Sequence, residues 1–177
     1  MKKLLSVTLI LFLFMMSCAP EGEKPLTSEQ KETLQSEVAK RVDEIVAGAN
    51  KMDLETMKEI YWNDPSFLAV SFDKTFGYEG YMKDTEDIWS GMSMINFQEM
   101  NRQIMILDNQ TAYAVFGGFA EGETQEGQEM KIEDFYASML FRKVDGTWKV
   151  AGTHESGIFV VMEQDTSEVA QDASGPN

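Results

Sequence analysis

His154 is the only histidine of the chain, and its side-chain type is the one best suited to acid–base chemistry near neutral pH. It lies in the stretch DGTWKVAGTHESG, which runs from Asp145 to Gly157. A catalytic histidine needs a positioned partner, and the sequence offers neither a Ser-His-Asp spacing nor a nucleophilic cysteine. We therefore expect His154 to be a strand residue that bonds to a neighbouring strand or sits in a dimer contact, with ligand contact as the alternative.

Carboxylates and tyrosines are the other side chains that could move a proton. A carboxylate base that faces a tyrosine in an apolar site can support isomerisation of a small apolar substrate. The residue types are present, but their spacing matches no catalytic signature, and acidic residues occur throughout the chain. Ligand binding without catalysis is therefore the leading hypothesis, and an isomerase or hydrolase is the alternative. The residues available for such chemistry are Asp64, Asp134, Glu155, Tyr61 and Tyr113.

The composition argues against metals, cofactors and nucleic acids as partners. One histidine and one cysteine leave only an all-oxygen metal site, and the acidic segment 121–129 lacks the ligand spacing of a calcium loop. The formal net charge is −15, and no basic stripe offsets it. We expect no metal, no cofactor and no nucleic-acid partner.

Cys18 is the only cysteine, and its surroundings point to lipidation. Two lysines, an apolar run from Leu4 to Met16 and the small residue Ser17 precede it, as in a signal peptide. The run is shorter than the about 20 residues that a membrane-spanning helix needs. The junction resembles the lipobox of bacterial lipoproteins, which implies an acylated thiol at a new N-terminus. We expect a lipid-anchored envelope protein, in the outer membrane of a Gram-negative bacterium; the alternative is a plain secretory signal before a stray cysteine.

The rest of the chain divides into one domain with short flanks. Residues 1–17 are the expected signal peptide, and residues 18–27, with two prolines and a glycine, a flexible tether. Residues 163–177 have few large apolar side chains and are expected to form a disordered acidic tail. The domain covers 28–162 and is large enough to bury a core without disulfides.

Apolar spacing predicts three helices at the start of this domain. A capping box at Thr27 opens a long amphipathic helix that ends near Asn50. Asp53 caps a second helix that runs through Tyr61 towards Pro65. A short hairpin and a third helix follow. The third helix is expected to carry Tyr81, Thr85, Ile88, Trp89 and Met92 on one side.

Four long strands complete the domain. Turns are expected at 108–110 and at Asp145-Gly146, which is a strong hairpin signal, and an acidic, glycine-containing loop is expected over 121–129. The glycines of FGGF, Phe116–Phe119, are expected to mark a bend. Helices followed by antiparallel strands predict an α+β fold, with the helices on one face of a curved sheet.

This order of elements resembles the nuclear transport factor 2-like superfamily, also called SnoaL-like. The resemblance covers 28–162 and implies a cone-shaped, cystatin-like fold in which a curved antiparallel sheet wraps around three N-terminal helices. Because isomerases, hydrolases and pure binding modules share this scaffold, the resemblance implies a fold more than an activity. The C-terminal motif, which is similar to the end of the calcium/calmodulin-dependent protein kinase II association domain, consists of Asp145, Gly146, Trp148, His154, Ser156 and Gly157.

The resemblance also implies a cavity between sheet and helices and a homodimer formed through the outer sheet face. Tyr61 and Trp89 lie where helices of this fold roof the cavity. The kinase association domains carry cavity arginines at positions that align with Val115, Met139 and Glu155. Because none of the three is basic here, a small apolar or uncharged ligand is expected rather than an anion.

Side-chain alternation decides which residues of the last strand face the cavity. Strict alternation places Thr153 and Glu155 on one face and His154 on the other. It also places Trp148 and Val150 on the face of His154. The candidate ligand-binding residues are Tyr61, Trp89, Tyr113, Met139, His154 and Glu155.

Overall fold

The computed structural model describes residues 25–161, and its three helices begin where the sequence provides caps. Helix α1 spans Ser28–Asn50 and has the expected capping box at Thr27. Helix α2 spans Leu54–Ile60 and is capped by Asp53, whose carboxylate accepts a hydrogen bond from the backbone of Thr56. Helix α3 spans Tyr78–Ser90. Within the described range, no helix has the length and apolar character that crossing a membrane requires.

Two helix ends differ from the sequence-based expectation. Tyr61 lies outside α2, because its backbone is extended and forms a parallel bridge with Val150, and Trp62 donates to the carbonyl of Val150 at 2.9 Å. Met92 lies outside α3 and is the first residue of a strand. In both cases pairing with the sheet replaces the last turn of the predicted helix.

One six-stranded sheet forms the rest of the domain. The strands span Leu68–Ser71 (β1), Lys74–Phe76 (β2), Met92–Ile106 (β3), Thr111–Thr124 (β4), Glu129–Val144 (β5) and Thr147–Val161 (β6). Their order in the sheet is β2-β1-β6-β5-β4-β3. The α+β fold class is therefore confirmed. The sheet is mixed, however, because β1 pairs in parallel with β6 while all other pairs are antiparallel.

The turn expected at Asp145-Gly146 occurs as predicted, and the expected loop at 121–129 is shorter than predicted. Asp145 and Gly146 both have positive φ, as a two-residue hairpin with matching twist requires. The loop expected over 121–129 is confined to 125–128, because β4 continues to Thr124 and β5 starts at Glu129, so that pairing between the two strands extends the hairpin.

A bulge in β6 changes which side chains face the helices. Pairing with β5 shifts between Val150 and Gly152, so that Ala151 is an extra residue on its strand. Trp148 and Val150 are buried on the same side as Thr153, contrary to strict alternation. Another irregularity lies between Gly118 and Ala120 in β4, where the sequence predicted a bend. The main core lies between this face of the sheet and the helices, and α1 contributes Val38, Val42 and Ile45 to it.

Candidate functional site

A cavity of about 360 Å³ lies between the inner face of the sheet and the three helices. Its walls are mainly aliphatic, methionine and aromatic side chains, and α1, α2, α3 and all strands except β2 contribute to them. The volume is within the range of sites for small organic ligands, which starts at about 300 Å³. The aromatic residues of the wall are Tyr61, Phe72, Tyr81, Trp89, Phe97, Phe116, Phe135 and Phe159.

Glu155 places a carboxyl group in this apolar wall. β6 and β1 are paired so that Glu155 lies beside Ser71, and α3 crosses above them at Tyr81. The Ser71 hydroxyl donates to Oε2 of Glu155 at 2.9 Å, and the Tyr81 hydroxyl donates to Oε1. The hydroxyls of Tyr61 and Tyr81 are hydrogen-bonded to each other, so a polar chain of Glu155, Tyr81 and Tyr61 runs along one side of the cavity.

Burial controls the proton affinity of this chain. It raises the pKa of Glu155 above its usual value, although the hydrogen bonds from Tyr81 and Ser71 favour the charged form. Burial, followed by the negative charge of Glu155, raises the pKa of Tyr81 and of Tyr61. Both phenols therefore stay protonated at neutral pH and act as hydrogen-bond donors.

Aromatic contacts hold the polar chain in place. The rings of Tyr61 and Tyr81 are 5.4 Å apart, and Phe67 packs against both at 6.1 and 5.9 Å. On another part of the wall, the rings of Phe72 and Phe159 pack with their centroids 4.6 Å apart and their planes tilted by 43°. Phe72 is in the turn of the β1–β2 hairpin with φ of 53°, an uncommon conformation for a bulky residue.

The structure brings four of the six candidate ligand-binding residues together. Tyr61, Trp89, Met139 and Glu155 all line the cavity. Tyr113 and His154 do not, because each is exposed on the opposite face of the sheet. His154 pairs across the sheet with Ser138 and Val70, and the inward position next to it belongs to Glu155.

Several other sequence-based positions also lie away from the cavity. Val115 faces outward, because its neighbour Phe116 lines the cavity and side chains alternate. Asp64 accepts hydrogen bonds from Ser66 in a turn, and Asp134 is an exposed residue with positive φ. Cys18 lies outside the described residues.

Arg102 lies under α1, where it joins helix and sheet instead of lining the cavity. Its guanidinium donates to Asp43 at 2.7 Å, to the carbonyl of Ala39 at 2.9 Å and to Glu99 at 2.7 Å. These hydrogen bonds and ion pairs hold the guanidinium between α1 and β3, and Arg102 is not among the residues that line the cavity. Among the described residues, those that line the cavity include the acids Asp84, Glu121 and Glu155 but no lysine, arginine or histidine.

Sequence reasoning missed Ser71 and Tyr81 as site residues. Tyr81 was expected on the apolar side of α3, which is correct, but nothing in the spacing links it to Glu155. Ser71 reaches Glu155 only because β1 pairs in parallel with β6, a pairing that the hairpin pattern does not encode.

Comparison with known proteins identifies likenesses in sequence and in fold. A family model described as the SnoaL-like domain matches residues 38–162. No curated protein matches the chain in sequence.

Three solved structures illustrate the likeness in fold. The LinA-type3 hexachlorocyclohexane dehydrochlorinase of Novosphingobium barchaimii LL02 is 13% identical with a TM-score of 0.65, and the match covers 77% of this chain and 94% of that one. A nuclear transport factor 2-like superfamily protein of Salmonella enterica serovar Typhimurium LT2 is 15% identical, with a TM-score of 0.65 and coverage of 77% and 97%. A protein of Novosphingobium aromaticivorans named as a candidate scytalone dehydratase is 12% identical, with a TM-score of 0.68 and coverage of 78% and 93%. Identities this low show the fold alone.

Proposed function

The chain belongs to the SnoaL-like domain family, and from that membership we propose that it binds a small, largely apolar molecule in the cavity under its helices. The observation that carries the proposal is the cavity itself. About 360 Å³ of space is lined by apolar side chains, with the carboxyl group of Glu155 among the few polar groups that could orient a ligand. A domain with a purely structural role would be expected to fill this space with side chains, because protein interiors are close-packed.

A matched pair of variants tests this function. Thr85 lines the cavity and Thr33 is exposed on α1, and each hydroxyl donates to the carbonyl four residues earlier in its helix. Thr85→Trp should place an indole in the cavity and abolish ligand-induced thermal stabilisation. Thr33→Trp should leave it unchanged. Failure of every lipid, steroid, polyketide and sugar tested to stabilise the wild-type protein would count against the function.

Acid–base catalysis is a second candidate, and the buried carboxyl group of Glu155 favours it. A carboxylate in an apolar cavity, with a raised pKa and a tyrosine donor, can accept a proton from a bound substrate. Two of the similar structures are named for a dehydrochlorinase and a dehydratase. Because His154 lies on the opposite face, such an enzyme would act without histidine. Glu155→Gln should then abolish turnover while the melting temperature stays within a few degrees of wild type.

The place of action that we propose is the cell envelope, with the protein anchored through lipid on Cys18. The basic and apolar residues before Cys18 support this assignment. We propose the outer membrane because Ala19 follows the cysteine, where an aspartate would favour retention in the inner membrane. Cys18→Ser should release the protein from the membrane fraction. Mass spectrometry that finds an unmodified Cys18 thiol in the mature protein would refute the anchor.

A homodimer through the outer sheet face is the assembly that we propose. Four large apolar side chains are exposed next to one another in one row that crosses β3, β4, β5 and β1. Such a contiguous apolar patch is typical of a protein–protein contact, whereas single exposed apolar residues are not. The four side chains are Met105, Tyr113, Leu140 and Leu68, which are 59%, 38%, 38% and 55% exposed. Leu140→Asp should convert the dimer to a monomer in analytical ultracentrifugation. A monomeric wild-type protein at high micromolar concentration would contradict the proposal.

A further inference from the structure

The carboxyl group of Glu155 lacks a positive partner. None of the ion pairs between described residues includes Glu155, although nine other pairs occur there. Arg102, an arginine of β3, is held by Asp43 and Glu99. His154 is the adjacent residue in β6 but points to the other face.

The hydrogen bonds to Glu155 satisfy it only in part. A carboxylate can accept about four hydrogen bonds, whereas Tyr81 and Ser71 provide two, one on each oxygen. Both donors are neutral, so the negative charge has no cation in contact with it and only the longer-range attraction of His154 from the other face of the sheet. A buried charge without a counter-ion is unfavourable, and a cation brought by a ligand would remove much of that cost.

The surrounding wall suits a cation attached to an apolar body. Tyr61, Tyr81 and Trp89 line the cavity near α2 and α3, and the faces of aromatic rings attract positive charge. Basic residues are absent from the described part of the lining, so nothing there repels a cation. The net charge of −15 also favours the approach of positively charged molecules.

We propose that the ligand is an apolar monoamine, whose protonated nitrogen pairs with Glu155 and whose hydrocarbon part fills the remaining cavity. This inference rests on the proposed binding function and specifies its ligand class. The cavity of about 360 Å³ would hold about a dozen non-hydrogen atoms at the roughly 30 Å³ that one water molecule occupies. An arylalkylamine or a compact alicyclic amine has this size.

The test compares four probes that differ mainly in one end group. 4-Phenylbutylamine, 4-phenylbutanol, butylbenzene and 4-phenylbutyrate are titrated calorimetrically at pH 7 into the full chain carrying Cys18→Ser. We expect the amine to bind at least tenfold more tightly than the alcohol, and the carboxylate to bind most weakly. Glu155→Gln should bring amine and alcohol within about twofold of each other. Glu32→Gln, which removes the same charge from the exposed surface of α1, should preserve the preference.

Each other outcome decides against the proposal in a recognisable way. Equal binding of amine and alcohol to the wild-type site would overturn the role of charge but leave the small-ligand function in place. An amine preference that survives Glu155→Gln would assign the attraction to overall charge and overturn the pairing. Binding of none of the four probes would overturn the amine proposal together with the function on which it rests.

Discussion

Replacing Thr153 with valine should make the protein more stable. Thr153 lies in β6 between Met139 of β5 and Ala69 of β1, and it is only 6% exposed. Among side-chain atoms of the described residues, its Oγ1 is the buried polar atom that has no hydrogen-bond partner. Such a hydroxyl costs about 1–3 kcal/mol, and the methyl group that replaces it adds about 0.8 kcal/mol of apolar burial.

Allowing for imperfect fit, we expect Thr153→Val to raise the free energy of unfolding by about 1–2 kcal/mol. This corresponds to about 4 °C in melting temperature for each kcal/mol in a domain of this size. Thr153→Ser is the matched control, because it keeps the hydroxyl and loses the buried methyl group, and it should lower stability by about 1 kcal/mol. Urea and thermal unfolding monitored by circular dichroism measure both. A valine variant no more stable than wild type would show that the hydroxyl has a partner in solution.

Two further predictions concern the bend of the sheet and the attachment of α1. Gly118→Ala should destabilise the protein by about 3 kcal/mol, because the added Cβ would overlap the backbone of β3. Gly77→Ala meets nothing within 4 Å and should cost no more than about 1 kcal/mol in the same urea titration, since Gly77 is the N-cap of α3 and alanine is a poorer cap than glycine. Hydrogen bonds from Lys143 at 2.7 Å and then from Trp148 at 2.8 Å lower the pKa of Glu37 below its usual 4.5. A lowered carboxyl pKa stabilises the fold above the unfolded-state value, and this effect is lost as the pH falls through the folded-state value. Glu37→Gln should therefore cost about 0.5–1 kcal/mol at pH 7, because the carboxylate is partly exposed and its ion pair is screened by solvent. The difference from wild type should shrink steadily as the pH falls below 4.5. A cost that stays constant between pH 7 and pH 3 would contradict the electrostatic explanation.

Local signals predicted the elements of the fold well. The capping box at Thr27, the cap at Asp53 and the turn at Asp145-Gly146 each depend on a few neighbouring residues, and each occurs as expected. The errors lie where partners distant in sequence decide the conformation. Tyr61 leaves its helix because it bridges to Val150, and β1 pairs in parallel with β6 across more than 80 residues.

The candidate site was predictable only in part, for the same reason. The family resemblance implied both the cavity and the placement of Tyr61, Trp89 and Met139 in its wall. The donors to Glu155 could not be found, because Ser71 and Tyr81 reach it only through tertiary contacts. Tyr113 was a candidate by residue type, and its strand position places it on the outer face.

The bulge at Ala151 connects the fold of β6 with the chemistry of the cavity. On the N-terminal side of the bulge, Trp148 and Val150 face the helices and complete the core. Without an extra residue, the same parity would continue to His154 and turn Glu155 outward to solvent. With the bulge, the inward face passes to Thr153 and Glu155. One inserted residue therefore decides whether the cavity presents an imidazole or a carboxylate, and so whether it can attract a cation or a proton from its ligand.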